Sequence, residues 1–175
     1  MKNVRRETRL RKLRDIAQWW FGPEASDVEK GALIESAFLM SVADGELSAD
    51  EHEQLIATIQ FVTSTEHENS QIEALIDQFV QVLQADGWKG RLAAVARTLQ
   101  SPDARRRAYQ LAAAMSFIDG DISEAEQNFF GLMADAFAIS EEDSDLILTD
   151  VRDRLFASSP LDENVPEASR TTPRR

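Results

Sequence analysis

One motif occurs twice in this chain, and it limits the fold more than any other feature of the sequence. Residues 40–51 read MSVADGELSADE, and residues 115–126, which lie 75 positions further on, read MSFIDGDISEAE. Each copy follows an apolar stretch with helical spacing and precedes another, so each copy is predicted to form the corner between two helices. The sequence therefore predicts a body built from two related helical hairpins.

Helical spacing of apolar residues continues along almost the whole chain, and no convincing stretch shows the period of two that is typical of a strand. The expected fold class is therefore all-α, a compact bundle of about eight helices. One helix is expected to open at Ser70 and a separate, shorter one to run near residues 89–100. Ser and Glu three positions apart predict capping boxes at four helix starts, namely Ser26 with Glu29, Ser48 with Glu51, Ser70 with Glu73 and Ser123 with Glu126.

The charge divides the chain into an acidic body and two basic ends. The first 14 residues contain seven Lys or Arg, whereas the whole chain has 31 acidic and 19 basic residues and a net charge of −12. We predict a basic amphipathic N-terminal helix or arm (1–25), a helical domain (26–157) and a flexible tail (158–175). The acidic body argues against bulk binding of nucleic acid. The absence of cysteine excludes disulfides and thiolate zinc sites.

Neither a secretory signal nor a transmembrane segment is recognised in the sequence. The expected compartment is the cytoplasm, with peripheral attachment to the inner membrane as the alternative.

Two interpretations of the repeated corner are open. In the first, Gly45 and Gly120 take the left-handed conformation that ends a helix, and the Ser and Glu that follow cap the next helix. In the second, the acidic side chains bind a divalent cation. The motif is similar to the second half of an EF-hand loop. An ordinary EF-hand is excluded, because the positions of its first two ligands are apolar, Met40 and Val42 in one copy and Met115 and Phe117 in the other.

With these two corners the chain resembles the TerB-like family of tellurite-resistance proteins. The resemblance covers residues 26–157 and is carried by ADGELSADE in the first half and IDGDISEAE in the second. It implies a compact helical bundle, a role in bacterial stress responses, no established enzymatic reaction, and an acidic surface proposed to bind divalent cations. The positions that match the acidic motif of the family are the candidate metal ligands, Asp44, Glu51, Asp119 and Glu126. Oxygen donors of this kind favour Ca²⁺, Mg²⁺ or Mn²⁺.

The basic segment at residues 2–21 ends in three aromatic residues, Trp19, Trp20 and Phe21. It has three candidate roles: docking on the acidic body, holding a protein partner, or making a peripheral contact with an anionic membrane. The first two are favoured, because the apolar face is narrow and anionic lipid repels the acidic body.

No motif supports catalysis, since the glycine-rich phosphate-binding patterns are absent and capping accounts for the hydroxyl of Ser48. We therefore expect a non-enzymatic module that presents an acidic surface to a divalent cation, to a protein partner, or to both. The alternative is a pure scaffold that binds no metal and whose basic N-terminal helix docks a partner or an anionic membrane.

Overall fold

The computed structural model describes residue 11 and residues 25–63, 69–119 and 122–156, with only the backbone described for Asp119. Within these residues the chain forms helices and no strand, which confirms the all-α fold class. The predicted tail and nearly all of the predicted N-terminal arm lie outside the described residues. The helices are α1 (Asp27–Ser41), α2 (Ala49–Thr63), α3 (Asn69–Thr98), α4 (Pro102–Asp119), α5 (Glu124–Phe137) and α6 (Glu141–Phe156).

The expected number of helices was wrong, because the described residues contain six helices rather than about eight. The two helices expected from Ser70 and near residues 89–100 are the two arms of α3, which is broken only at Gly87. This glycine has φ 68° and ψ 172°, a conformation that other residues rarely adopt, and the helix resumes directly after it. Only residues 11 and 25 of the predicted N-terminal helix or arm (1–25) are described.

The helices α1 and α4 form the centre of the bundle. α1 packs against α2, α3 and α4, and α4 packs in addition against α5 and α6. Residues 111–118 of α4 (LAAAMSFI) are buried without interruption, as are residues 32–41 of α1. Burial around the whole circumference is typical of a helix in the interior of a domain.

The hairpins α1–α2 and α4–α5 begin at equivalent positions of the sequence repeat. α1 begins at Asp27 and α4 at Pro102, whereas α2 begins at Ala49 and α5 at Glu124. Both pairs are separated by the same 75 positions as the repeated motif. The repeat therefore describes whole hairpins and not only the two corners.

The long helix α3 is fixed to the bundle by two aromatic contacts and one ion pair. Phe38 of α1 and Phe79 of α3 have ring centroids 5.5 Å apart, and Trp88 meets the ring of Phe129 of α5 edge-on at 5.3 Å. The guanidinium of Arg91 donates from Nε and Nη2 to the two carboxylate oxygens of Glu35, at 2.7 and 3.0 Å. These contacts hold both arms of α3 against the domain.

None of the described helices combines the length and the apolar character that crossing a membrane requires.

Candidate functional site

The first corner joins α1 to α2 and is built by local hydrogen bonds. Gly45 has φ 101° and its amide donates to the carbonyl of Val42 at 2.9 Å, which turns the chain away from α1. Asp44 Oδ1 then accepts the amide of Glu46 at 3.1 Å. The capping box predicted for Ser48 and Glu51 is confirmed, because the Ser48 amide donates to Glu51 Oε2 at 2.8 Å and the Glu51 amide donates to Ser48 Oγ at 3.2 Å.

The second corner joins α4 to α5 and repeats this chemistry. The Ser123 amide donates to Glu126 Oε2 at 2.7 Å, and the Glu126 amide donates to Ser123 Oγ at 3.2 Å. Asp119 is the last residue of α4, and its side chain and Gly120 lie outside the described residues. Ile122, like Leu47 in the first corner, packs against the core. The predicted capping box is therefore confirmed in this corner as well.

The fold brings the two corners together around one cavity of about 210 Å³, which we call the corner pocket. Three carboxylates line it, those of Asp44 and Glu51 from the first corner and that of Glu126 from the second. Asp44 is exposed, whereas Glu51 and Glu126 are half-buried. The wall below them consists of residues from α1, α2 and α4, including Ser41, Gln54 and Ser116.

The corners and the pocket between them belong to a segment with known relatives. The sequence model of the family described as tellurite resistance protein TerB matches residues 30–149, well over half of the chain. This chain belongs to the TerB family. The match lies within residues 26–157, over which the sequence resembles that family. Comparison with curated proteins and with solved structures gives no match.

Three of the four candidate metal ligands of this TerB domain, Asp44, Glu51 and Glu126, line the corner pocket. The fourth, Asp119, has no described side chain. Among the described residues, no three His, Asp or Glu side chains come close enough together to hold a metal ion by themselves. Cation binding at these four residues therefore stays a prediction, and any such site needs donors other than the described carboxylates.

Local hydrogen bonds occupy one oxygen of each described carboxylate in the corner pocket. Glu51 and Glu126 each use Oε2 for the amide of the capping serine, and Asp44 uses Oδ1 for the amide of Glu46. Each carboxylate therefore keeps a second oxygen, while the first fixes its orientation. Capping and cation binding are compatible for this reason, since the two roles use different oxygen atoms.

Two polar residues of the pocket wall were not predicted to belong to a site. Gln54 lies one turn after Glu51 on α2, and its Nε2 donates to the carbonyl of Met115 in the second hairpin at 2.8 Å. Ser116 lies on α4, at the position equivalent to Ser41 on α1. The repeat could have indicated the two serines, because Ser41 and Ser116 occupy the same position in the two copies of the motif. The repeat could not have indicated Gln54, whose equivalent in the second hairpin is Phe129.

Proposed function

We propose that this TerB domain is a non-enzymatic cytoplasmic module, related to tellurite resistance and stress responses, that binds one divalent cation in the corner pocket. One observation carries the proposal: carboxylates from two corners 75 positions apart in the sequence line the same pocket. The proposed donors include oxygen atoms of Asp44, Glu51 and Glu126, with Asp119 as the candidate fourth ligand, and further oxygen donors are needed because the three described carboxylates do not form a metal-binding group by themselves. Hard cations with flexible oxygen coordination, Ca²⁺, Mg²⁺ or Mn²⁺, match such donors.

A bound cation would supply positive charge between the two corners. The carboxylates of Asp44 and Glu51 belong to the hairpin α1–α2, and that of Glu126 belongs to the hairpin α4–α5. Ligands from both hairpins would couple cation binding to the stability of the folded domain, because an ion that binds only the folded state shifts the folding equilibrium towards it. The occupied domain would also present a less negative surface to a partner.

The proposal includes a protein partner for the acidic surface. The first turn of α6 carries Glu141, Glu142 and Asp143, all exposed, and Leu146 follows with 58% of its surface accessible. An exposed apolar side chain beside a group of carboxylates favours a partner with a basic, partly apolar surface. The TerB family is generally not known as a family of enzymes, and a binding role agrees with that.

Calorimetric titration of the metal-stripped full chain with Ca²⁺, Mg²⁺ and Mn²⁺ tests the cation site. We expect saturable binding by the wild type and its loss in the double variant Asp44→Asn, Asp119→Asn. The matched control is Asp77→Asn, Asp145→Asn, which changes the net charge equally at exposed positions outside the pocket and should bind as the wild type does. Equal weakening in both double variants would mean that the ion responds only to net charge and has no defined site.

A second candidate function is a scaffold whose corners only cap helices. The observation that favours it is that Glu51 and Glu126 are both engaged in complete capping boxes. In that case the wild type binds none of the three cations at millimolar concentration, and residues 2–21 carry the attachment. Co-sedimentation with anionic vesicles then tests whether the attachment is to a membrane. If it is, the wild type co-sediments, and changing the seven basic residues of the first 14 to Gln abolishes the co-sedimentation. If the wild type does not co-sediment, the segment is left with a protein partner.

A further inference from the structure

Two buried oxygen atoms in the wall of the corner pocket have no hydrogen-bond partner among the described residues. They are Oε1 of Gln54 and Oγ of Ser116. Gln54 is 1% exposed and Ser116 is 5% exposed, and both residues line the pocket beneath the carboxylates. Leaving a buried polar atom without a partner costs about 1–3 kcal/mol. Two such atoms at one pocket therefore indicate a ligand that satisfies both.

The orientation of the Gln54 amide follows from its other contact. Its Nε2 lies 2.8 Å from the carbonyl oxygen of Met115, a distance at which only the NH₂ group can face that oxygen. Reversing the amide would place two carbonyl oxygens against each other and is excluded. The contact with the second hairpin thus leaves Oε1 without a hydrogen-bond partner among the described residues.

Ser41 and Ser116 occupy equivalent positions of the repeat, but their hydroxyl groups differ in hydrogen bonding. Ser41 Oγ donates to the carbonyl of Ala37, one turn earlier in α1, at 3.1 Å. Ser116 has an equivalent backbone carbonyl one turn earlier in α4, yet its hydroxyl makes no hydrogen bond within the part of the chain that the structure describes. The O–H donor of Ser41 is therefore satisfied by its own helix, whereas the hydroxyl of Ser116 has no hydrogen-bond partner among the described residues.

We propose that Gln54 Oε1 and Ser116 Oγ are neutral oxygen ligands of the bound cation and that they make the corner pocket prefer Ca²⁺ to Mg²⁺; this rests on the proposed function. Ca²⁺ takes six to eight oxygen ligands in flexible geometry and accepts amide carbonyls among them, whereas Mg²⁺ keeps several of its waters and uses only one or two carboxylates. Neutral donors also enlarge the ligand set without adding repulsion between carboxylates. They supply the donors that the described carboxylates alone lack.

The test is calorimetric titration of the metal-stripped full chain with Ca²⁺ and, separately, with Mg²⁺, on the wild type and on Ser116→Ala, Gln54→Met and Ser36→Ala. The wild type should bind Ca²⁺ at least about tenfold more tightly than Mg²⁺. Ser116→Ala and Gln54→Met should each weaken Ca²⁺ binding at least about tenfold, as loss of a group supporting a metal site commonly does. Their Mg²⁺ affinities should change by less than about threefold. Ser36→Ala should stay within about twofold of the wild type for both ions, because Ser36 does not line the corner pocket and its buried hydroxyl donates to the carbonyl of Ala32 in its own helix.

Urea unfolding of the metal-free proteins distinguishes a ligand from a residue that only supports the fold. Ser116→Ala should be at least as stable as the wild type without metal, because it removes a buried hydroxyl that has no partner. It should nevertheless gain less stability from added Ca²⁺. Gln54→Met also removes the bond to the Met115 carbonyl, so Ser116→Ala is the decisive variant.

The titrations distinguish loss of the neutral ligands from absence of the whole cation site. If the wild type binds no cation, both are overturned. If the wild type binds a cation, and Ser116→Ala and Gln54→Met bind Ca²⁺ within about twofold of the wild type, the carboxylates hold the ion without the neutral oxygens. In that case only the further inference is overturned. Equal affinity of the wild type for Ca²⁺ and Mg²⁺ overturns the proposed preference in the same way.

Discussion

The ion pair between Glu35 of α1 and Arg91 of α3 should be strongly coupled energetically. The side chain of Glu35 is 10% exposed and that of Arg91 is 18% exposed, and two parallel hydrogen bonds of 2.7 and 3.0 Å join them. Arg91 Nη1 also donates to Asp86 at 2.8 Å, next to the break at Gly87. Removal of one member of a buried pair leaves the other charge without compensation.

We expect Arg91→Met to lower the free energy of unfolding by about 3–5 kcal/mol, because Glu35 then stays buried without a partner. Glu35→Leu should cost less, about 2 kcal/mol, because Arg91 is more exposed and keeps its bond to Asp86. The double variant Glu35→Leu, Arg91→Met removes both charges and should lie within about 2 kcal/mol of the wild type. The two single effects then exceed the double effect by about 3 kcal/mol or more.

Urea unfolding followed by circular dichroism measures all four proteins of this cycle. A matched control is Arg154→Met, which removes an exposed pair with Asp150 on α6 and should cost less than about 0.5 kcal/mol. Single effects that add up to the double effect within about 0.5 kcal/mol would refute the reasoning, because independent effects mean that the two charges do not depend on each other. The guanidinium held by Glu35 has a raised pKa. The contribution of Arg91 should therefore not titrate between neutral pH and the ordinary pKa of arginine.

Three further predictions concern other parts of the domain. Burial raises the pKa of Tyr109, the only tyrosine of the chain; tyrosinate absorbance should therefore appear at higher pH in the folded protein than in urea, and stability should fall as the pH rises above the ordinary tyrosine pKa. Equal titration in both states would contradict this. Ser123→Ala removes one half of a capping box and should cost about 1 kcal/mol in urea unfolding; an unchanged midpoint would mean that α5 needs no cap. Gly87→Ala should cost about 1–3 kcal/mol by backbone strain alone, since no atom lies within 4 Å of the added methyl group. Gly31→Ala, within α1 and equally free of contacts, should instead add about 0.5–1 kcal/mol, and the same sign for both glycines would contradict the assignment of strain.

The sequence predicted the helix starts best where the decisive contacts are local. A capping box joins residues three positions apart, so the patterns at Ser26, Ser48 and Ser123 were sufficient to locate α1, α2 and α5. The fourth pattern, Ser70 with Glu73, lies at the beginning of a described stretch in which residues 69 and 70 are already helical. There the carboxylate of Glu73 lies 2.9 Å from Nε2 of His52 on α2. That contact spans 21 positions, and no short sequence pattern indicates it.

The break at Gly87 shows a second limit of local reasoning. Apolar residues are spaced in a similar way on both sides of the break, whether one helix is kinked there or two helices meet. The sequence therefore favoured two separate helices. The backbone is non-helical at Gly87 itself, and Arg91, one turn after this break, bonds both Asp86 before the break and Glu35 on α1. The direction of the second arm of α3 therefore depends on a partner 56 positions away.

The site was predicted from the sequence only as far as the two hairpins are alike. The repeat relates Asp44 to Asp119 and Glu51 to Glu126. The three of these side chains that the structure describes, Asp44, Glu51 and Glu126, all line the corner pocket. The likeness ends at Gln54, whose equivalent is Phe129. That ring is 4% exposed and packs on Trp88 in the core.

Position 54 is as deeply buried as its equivalent, so an apolar side chain there would avoid the unpartnered oxygen of Gln54. Stability alone therefore disfavours glutamine at this position, even though its NH₂ group joins the two hairpins at Met115. A buried amide oxygen that has no partner among the described residues, in a pocket lined by both acidic corners, is accounted for by the proposed ligation of a cation by Gln54.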